Sequence, residues 1–278
     1  MDFELPSLSV SVVAYRPNES VLADTLNSLV RSIEFALESK VLGYARVDLI
    51  DNNEKESPFD FSPMLKTFET TPKIRVQVIS GHGNLGYGCG HNLSILKTGK
   101  TFHLVLNPDV ILAPDAIFQA IGFMQSNDRV GLISPSAQNG TGEVEYLCKR
   151  FPTLLDLALR GFAPHAVKKV FDARMAKYEL RNQIEQGRPF PVEIVSGCFM
   201  FWRTPLLKQI GGFSAHYFMY FEDFDVSLRA SACSILMHVP SVQVIHFGGA
   251  AARKGIKHIL MFVKSAAVFY KRNGLKLF

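Results

Sequence analysis

"KIRVQVISGHGNLGYGCGHN" (residues 73–92) changes its local rule part-way along. The first part, "KIRVQVIS", alternates apolar and polar side chains, the period of a β-strand. The second part, 81–92, carries five glycines and opens into a helix. Glycine lets a backbone approach a ligand closely, and the N-terminus of a following helix favours phosphate. The register is neither G-x-G-x-x-G nor a Walker loop, since no Gly-Lys-Ser/Thr follows. Strand, glycine-rich loop and helix in that order are what an α/β fold is built from.

The neighbouring segments extend the pattern. "LSVSVVAY" (8–15) is short and rich in β-branched residues, a buried strand. Over 20–39, Val21, Leu22, Leu26, Leu29, Ile33 and Leu37 recur at helical spacing, with Asn18 or Ser20 as the cap. "ARVDLIDNN" (45–53), "TFHLVLN" (101–107) and "VGLISP" (130–135) read as further strands, the last followed by a turn at "QNGTGE" (138–143). This alternation predicts a mainly parallel central sheet with helices on both faces. Ligands in such sheets bind beyond the carboxyl ends of the strands. The polar clusters stand there: Asp51-Asn52-Asn53, the glycine-rich loop, and Asn107-Pro108-Asp109.

The second half is less regular. Residues 153–186 read as helices broken near "GFAPH" (161–165), "VEIVSGCFMFWR" (192–203) as one long strand, and "TPLLKQIGGF" (204–213) as a short helix with a glycine stop. No repeat, low-complexity segment or linker divides the chain. One domain over 1–278 is expected, with a regular first half (1–135), a less regular second half (136–250) and a basic C-terminal helix (251–278).

Composition narrows the class. The 278 residues are 47% apolar and 20% charged, an ordinary globular balance. The four cysteines form no C-x-x-C pair, which suits reduced thiols rather than disulfides or zinc. "MDFELPSLSV" lacks the basic flank and apolar core of a signal peptide. Runs such as "IVSGCFMFW" fall well below the roughly 18 residues that a membrane-spanning helix needs. The net charge of +5 is unevenly placed, because residues 226–278 carry eight Lys and Arg and no acid. A basic tail suggests an anionic partner: nucleic acid, phosphate or a membrane surface. Within it, Ile256, Leu260, Val263, Ala267 and Tyr270 form a helical apolar face expected to close the core. Lys257, Lys264 and Lys271 line one side and, with Arg253 and Lys254, could meet an anionic bilayer.

Three motifs carry chemistry with more than one reading. "LNPDV" (106–110) sets Asn107 and Asp109 at a strand end, either as an Asx turn or as oxygens for Mg²⁺ or Mn²⁺. His246 in "VQVIHFGGA" (242–250) is a packed core histidine or a ligand. In "HYFMYFEDFDVSLRA" (216–230), Glu222, Asp223 and Asp225 follow a run of aromatics. Acids there suit a helix start, and an acid beside Phe218, Tyr220 and Phe221 would also gain basicity as it loses water.

Taken in order, these pieces resemble glycosyltransferase family 2, and within it bacterial rhamnosyltransferases of O-antigen and related surface polysaccharide. The resemblance rests on "VVAYRP", "IDNN", "GNLGYGCGHN", "LNPDV", "KRFPTLLD", "VSGCFMFWR", "IGGFSAHYFMYFEDFDVSLR" and "VPSVQVIHFGGA". It implies a nucleotide-diphospho-sugar (A-type) transferase fold and an inverting mechanism, with Asp223 as base and Glu222 as its neighbour. The family's Asp-x-Asp falls on Asn107-Pro108-Asp109, so its first carboxylate is an amide here. Mg²⁺ or Mn²⁺ would be held by Asp109 and His246. Nucleotide contacts would come from Ala14, Tyr15, Asp51, Asn53, Gly83, Asn84, Gly86, Asn92, Asn107 and Trp202.

The expected donor is dTDP-L-rhamnose, with a UDP-sugar as the alternative. The expected acceptor is a lipid-linked saccharide or lipopolysaccharide core, and the expected place is cytoplasmic, peripheral at the inner face of the cell membrane. A sugar nucleotidyltransferase would show a basic glycine-rich loop after the first strand, which "AYRPNES" (14–20) lacks. A non-catalytic binding protein on the same fold would lack the Glu-Asp pair. Nucleic acid is not expected as a partner, since no recognition motif accompanies the basic tail.

Overall fold

Strand β1 (Ser7–Ala14) is the pivot of the sheet and is buried along nearly its whole length. Successive side chains point to opposite faces. Leu8, Val10 and Val12 enter the main apolar core. Ser9 and Ser11 face a buried polar network instead. Ser9 Oγ lies 2.7 Å from His103 Nδ1, and Ser11 Oγ lies 2.9 Å from His103 Nε2 and 2.7 Å from His91 Nδ1. Burial pulls both imidazoles down, His103 to about 3, so both are neutral and fit as hydrogen-bonding partners.

The computed structural model describes residues 4–248 and 255–277; Arg253 and Lys254 lie outside the described residues. Strands β2 (Tyr44–Asp51) and β3 (Ile74–Ile79) continue the sheet on one side of β1, and β4 (Phe102–Leu106) returns to its other side, all parallel. The chain therefore reverses its direction of travel between β1 and β4, which opens a crevice at their carboxyl ends. The remaining strands are β5 (Val110–Leu112), β6 (Val130–Asn139), β7 (Val144–Glu145), β8 (Cys148–Lys149), β9 (Phe190–Pro191), β10 (Ile194–Val195), β11 (Phe199–Arg203) and β12 (Ile235–His246). The ten-stranded sheet runs β3-β2-β1-β4-β11-β6-β12-β5, with β7 on β6 and β9 on β12. Strand β11 is antiparallel to both β4 and β6, so the sheet is parallel on one side and mixed on the other.

The long first helix, α1 (Glu19–Glu38), is capped by Asn18, whose side chain accepts from the Ser20 and Val21 amides. Leu22, Leu26, Leu29, Ile33 and Leu37 are its buried stripe, as the spacing predicts. Then come α2 (Ser62–Leu65), α3 (Tyr87–Ile95) and α4 (Ala116–Ser126). The region 153–186 divides into α5 (Leu154–Phe162), α6 (His165–Val170), α7 (Asp172–Tyr178) and α8 (Arg181–Glu185). Helix α9 (Thr204–Gln209) ends at Gly211 and Gly212, both at positive φ. Helices α10 (Glu222–Ser231) and α11 (Ile256–Asn273) complete the chain.

Two expectations need correction. The stretch 192–203 is not one strand: β10 pairs with β8 in a small second sheet, and β11 joins the main one. The chain breaks at Ser196–Cys198, where the Gly197 N–H and carbonyl bond to the side chains of Asp223 and Tyr87, and an added Cβ would sit 3.1 Å from the Tyr87 ring. Helix α11 also turns a different face inward. Phe269, Tyr270 and Ser265 are buried, with Phe262 and Ala266 packed beside them. Of the expected stripe only Tyr270 is inside; Ile256, Leu260 and Val263 are 76%, 63% and 55% exposed. The larger phenylalanine rings win the interior, since they remove more apolar area from water. Phe262 and Phe269 each stand 5.1 Å, centroid to centroid, from Phe221.

Phe269→Ala should cost about 3–5 kcal/mol in denaturant unfolding, the range for truncating an enclosed aromatic. A loss below about 1 kcal/mol would show that α11 is not part of the cooperative core.

Candidate functional site

The strand ends are organised by Asp51 and Asn52. Asp51 accepts from the Asn53 amide (3.1 Å), Asn53 Nδ2 (2.8 Å) and the Phe59 amide (3.0 Å), which fixes the loop after β2. Asn52 Nδ2 donates to Asn84 Oδ1 (3.1 Å) and the Gly86 carbonyl (3.2 Å), and its Oδ1 accepts from Leu85 N (3.0 Å). Gly86 has φ 81°, and a Cβ there would land on the Phe218 carbonyl, which accepts from Tyr87 N at 3.0 Å. The glycine-rich loop is thus clamped between Asn52 and the 216–221 segment before it opens α3.

Ala14 ends β1 in the core, its carbonyl accepting from Asn52 N, and Tyr15 beyond it is exposed and donates to Glu54. Asn53 Oδ1 accepts from Arg16 N at 2.8 Å. Ala14, Tyr15, Asp51, Asn53, Gly83, Asn84 and Gly86 therefore gather on one rim. Two expected contacts do not join them. Trp202 is wholly enclosed in an apolar cluster with Ile95, Leu207 and Phe213. The Asn92 amide is spent on Phe213, donating to its carbonyl (2.7 Å) and accepting from its N–H (2.9 Å).

The three acids of 222–225 divide their roles. Tyr220 and Phe221 take positive φ values of 70° and 66°, a sharp turn that starts α10 without a side-chain cap. Asp225 is structural: Arg229 Nε binds it at 2.7 Å and the Tyr217 hydroxyl reaches it at 3.4 Å. Asp223 is half-buried; its Oδ2 accepts from Gly197 N (3.2 Å) and its Oδ1 from Phe224 N (3.0 Å). Glu222 is buried, and its Oε2 has no hydrogen-bond partner. Burial raises the pKa of both. For Asp223 the Gly197 amide, the Lys149 charge and the Phe224 amide oppose that rise, whereas Glu222 is pushed further by the Asp223 charge. The neutral form is therefore favoured more strongly at Glu222 than at Asp223.

The Ser196–Cys198 break ties this pair to the other acidic motif. Gly197 donates to Asp223, its carbonyl accepts from the Tyr87 hydroxyl (2.6 Å), and the next carbonyl, of Cys198, accepts from Asn107 N (2.9 Å). Asn107 Oδ1 and Asp109 Oδ1 are both buried without a hydrogen-bond partner, so no Asx turn uses the asparagine oxygen. His246 Nε2 stands 3.6 Å from Asp109 Oδ1, beyond a hydrogen bond, and Nδ1 is 2.7 Å from Glu145 Oε2. Burial alone would lower this imidazole, but the two carboxylates prevail and raise it to about 9.

Glu145 escaped the sequence reading. Its signal was the "QNGTGE" turn, which folds β7 back on β6 and pairs Glu145 with Ala137, near the end of β6 that lies beside His246. The orphaned oxygens of Asn107 and Asp109, with the His246 imidazole once it has lost its proton, are donors that suit Mg²⁺ or Mn²⁺. Among the described residues no group of three or more His, Cys, Asp and Glu could hold an ion by itself. The donors fit an open half-site, completed by a ligand's oxygens, rather than a closed protein cage.

No protein-family profile matches the chain. It is 28% identical over 276 residues to the N-acetylglucosaminyl-diphospho-decaprenol L-rhamnosyltransferase of Mycobacterium tuberculosis, covering 94% of this chain and 83% of that protein. It is 25% identical over 178 residues to the rhamnosyltransferase WbbL of Escherichia coli K12, covering 61% and 63%. Among solved structures, GalNAc-T7 with UDP, GalNAc and Mn²⁺ superposes with a TM-score of 0.61 at 13% identity over 97% of this chain. S. aureus TarS superposes with a TM-score of 0.55 at 15% identity over 98%. The fold is that of the A-type glycosyltransferases. The chain spans only 48% and 41% of those two solved chains, so they speak for the fold alone. The rhamnosyltransferase relatives bear out the family resemblance drawn from the ordered motifs.

A raised carboxyl pKa stabilises the folded state below the group's ordinary range, and that contribution is lost as pH rises through the folded value. Glu222→Gln keeps the neutral shape. The variant's thermal midpoint should match wild type in mild acid and overtake it towards mildly alkaline pH. A difference that does not change with pH would show that Glu222 is not the protonated partner.

Proposed function

We propose that this protein transfers L-rhamnose from dTDP-L-rhamnose, with inversion, to a lipid-linked saccharide in the assembly of a cell-surface polysaccharide. The similarity to the two rhamnosyltransferases supports the sugar, and the decaprenyl-linked acceptor in one relative's name supports the acceptor class. The observation that carries the chemistry is the placement of a half-buried Asp223 one short backbone bridge from Asn107 and Asp109.

A sugar hydroxyl is far too weak an acid to react unaided near neutrality. In the proposed step its oxygen attacks the anomeric carbon from the side opposite the diphosphate, while Asp223 accepts the hydroxyl proton. The bond from the anomeric carbon to the diphosphate oxygen breaks, the electron pair leaves with the nucleoside diphosphate, and the configuration inverts. Partial burial suits Asp223 to this role by making it more basic than a solvated carboxylate. The imidazolium of His246, held charged by its two carboxylates, supplies positive charge at the strand ends. Where Mg²⁺ or Mn²⁺ binds instead, Asp109, the Asn107 amide oxygen and a His246 that has given up its proton would hold it, and the cation would neutralise diphosphate charge as a Lewis acid. Phe218 is partly exposed and Tyr220 half-buried, and their rings can pack on the apolar face and methyl group of a 6-deoxy sugar.

The direct test is transfer and donor hydrolysis with dTDP-L-rhamnose beside a panel of UDP-sugars. Turnover with dTDP-L-rhamnose is expected; turnover confined to a UDP-sugar would replace the donor, and none with any would overturn the reading. Asp223→Asn should retain donor binding and lose about 10²–10⁴ in turnover, the usual worth of a general base. Near-normal turnover in that variant would remove Asp223 from the mechanism.

Asp109→Ala should weaken nucleotide-diphosphate binding in calorimetry chiefly when Mg²⁺ or Mn²⁺ is present. Equal weakening in chelator would leave Asp109 only a shaping role at the strand end.

A further inference from the structure

Helix α11 has two apolar sides and only one of them is used. Phe262, Ser265, Ala266 and Phe269 face the Phe221 and Phe224 rings, and the helix is held there by Ser265 Oγ donating to the Met219 carbonyl at 2.8 Å. Tyr220 Oη and His258 Nδ1, 2.9 Å apart, fix the amino-terminal half. At 3.6 residues per turn, Ile256, Leu260, Val263 and Ala267 share the side turned away from that contact, with Ile259 at its edge. All five are exposed. Exposed apolar residues scattered singly are ordinary, whereas three large ones on successive turns of one helix, with a fourth beside them, mark a contact surface.

Charge says which contact. Lys257, Lys264 and Lys271 recur every seven residues, which places them in a stripe along one flank of this apolar side. All three are exposed, and among the described residues none makes an ion pair. No acid occurs in the sequence after Asp225, so nothing on the helix offsets them. A protein partner or a second copy would be expected to bring carboxylates to fixed lysines, but would not require them evenly spaced beside a featureless apolar stripe. An apolar stripe with lysines along its flank fits a surface of acyl chains and anionic headgroups, where long lysine stems lie along the boundary and their ammonium groups reach outward. Among the described residues no helix is long and apolar enough to cross a membrane, so this one would lie in the plane.

We propose that the outward side of α11 docks on an anionic lipid bilayer, with Ile256, Leu260 and Val263 entering the headgroup boundary and the three lysines meeting anionic lipids. The inference rests on this helix and stands apart from the reaction chemistry. The same helix holds the Tyr220–Phe221 turn on its other side, so docking would leave that contact in place.

The test is co-sedimentation of the whole protein with phosphatidylcholine vesicles, with and without phosphatidylglycerol. Wild type should bind the anionic vesicles, weaken as salt rises, and bind neutral vesicles poorly. Lys257/Lys264/Lys271→Gln should weaken anionic binding by about a hundredfold, from roughly a fivefold contribution per lysine at the surface. Leu260→Ser with Val263→Ser should abolish binding while leaving the thermal midpoint and circular dichroism unchanged, because both side chains are largely exposed. No binding by wild type, equal binding to neutral and anionic vesicles, or unchanged binding by both variants would overturn the proposal. A concentration-dependent dimer in sedimentation velocity that Leu260→Ser/Val263→Ser abolishes, with no vesicle binding, would assign the surface to a second copy instead.

Discussion

Two consecutive residues with side chains, Tyr220 and Phe221, are held in the left-handed region, and the rest of the site depends on that turn. Each such residue costs on the order of 1–3 kcal/mol relative to a relaxed backbone. The turn persists because its side chains and carbonyls are gripped from several directions. Phe221 is enclosed by Phe224, Phe262 and Phe269, and burying one such ring contributes about 1.5–3 kcal/mol. The carbonyl of Met219 is taken by Ser265 and that of Phe218 by Tyr87. A glycine at 220 or 221 would relax the backbone but remove the ring that anchors it. The strain is therefore part of how α10 begins where it does, with Glu222 and Asp223 pointing to the strand ends rather than into solvent.

That start separates two neighbouring carboxylates that would otherwise behave alike. Glu222 goes inward, where its second oxygen finds no donor and burial favours its neutral form. Asp223 stays at the edge, where two backbone amides and the positive charge of Lys149 favour its ionised form. Lys149 is itself buried and drawn down to about 8, burial being the leading cause, so its charge is kept only weakly. The bridge through Gly197 then couples Asp223 to Asn107. The Gly197 N–H and carbonyl go to Asp223 and Tyr87 rather than to a neighbouring strand, and the strand expected over 192–203 breaks there.

Legibility in the sequence followed the range of the forces. The strands β1 to β4 and helix α1 were readable because hydrophobic period and capping are local: Asn18 caps α1 and its leucine stripe is the buried one. The strand-end clusters were readable because the parallel sheet sets all carboxyl ends on one rim. The break at 196–198 was not, since "VEIVSGCFMFWR" is mostly apolar and the groups that take the Gly197 backbone, Tyr87 and Asp223, are far away in sequence. Glu145 was missed because β7 is only Val144–Glu145, too short to show a period. Trp202 was expected as a nucleotide contact from the family resemblance, yet the pairing of β11 between β4 and β6 encloses it.

Helix α11 shows the same limit from the other side. Its sequence offers two apolar arcs, one of Ile256, Leu260 and Val263, the other of Phe262, Ala266 and Phe269. Period alone cannot rank them. The choice is made by Phe221, which presents an aromatic surface that rings fill better than branched aliphatics. Ser265 would weaken the second arc on any hydropathy scale, but its hydroxyl answers the Met219 carbonyl left bare by the strained turn. The polar residue that makes this arc look like the wrong face is the one that makes it the right one. Once the rings are inside, the aliphatic arc is left outside, so an exposed apolar surface follows from the way the fold supports its acid pair.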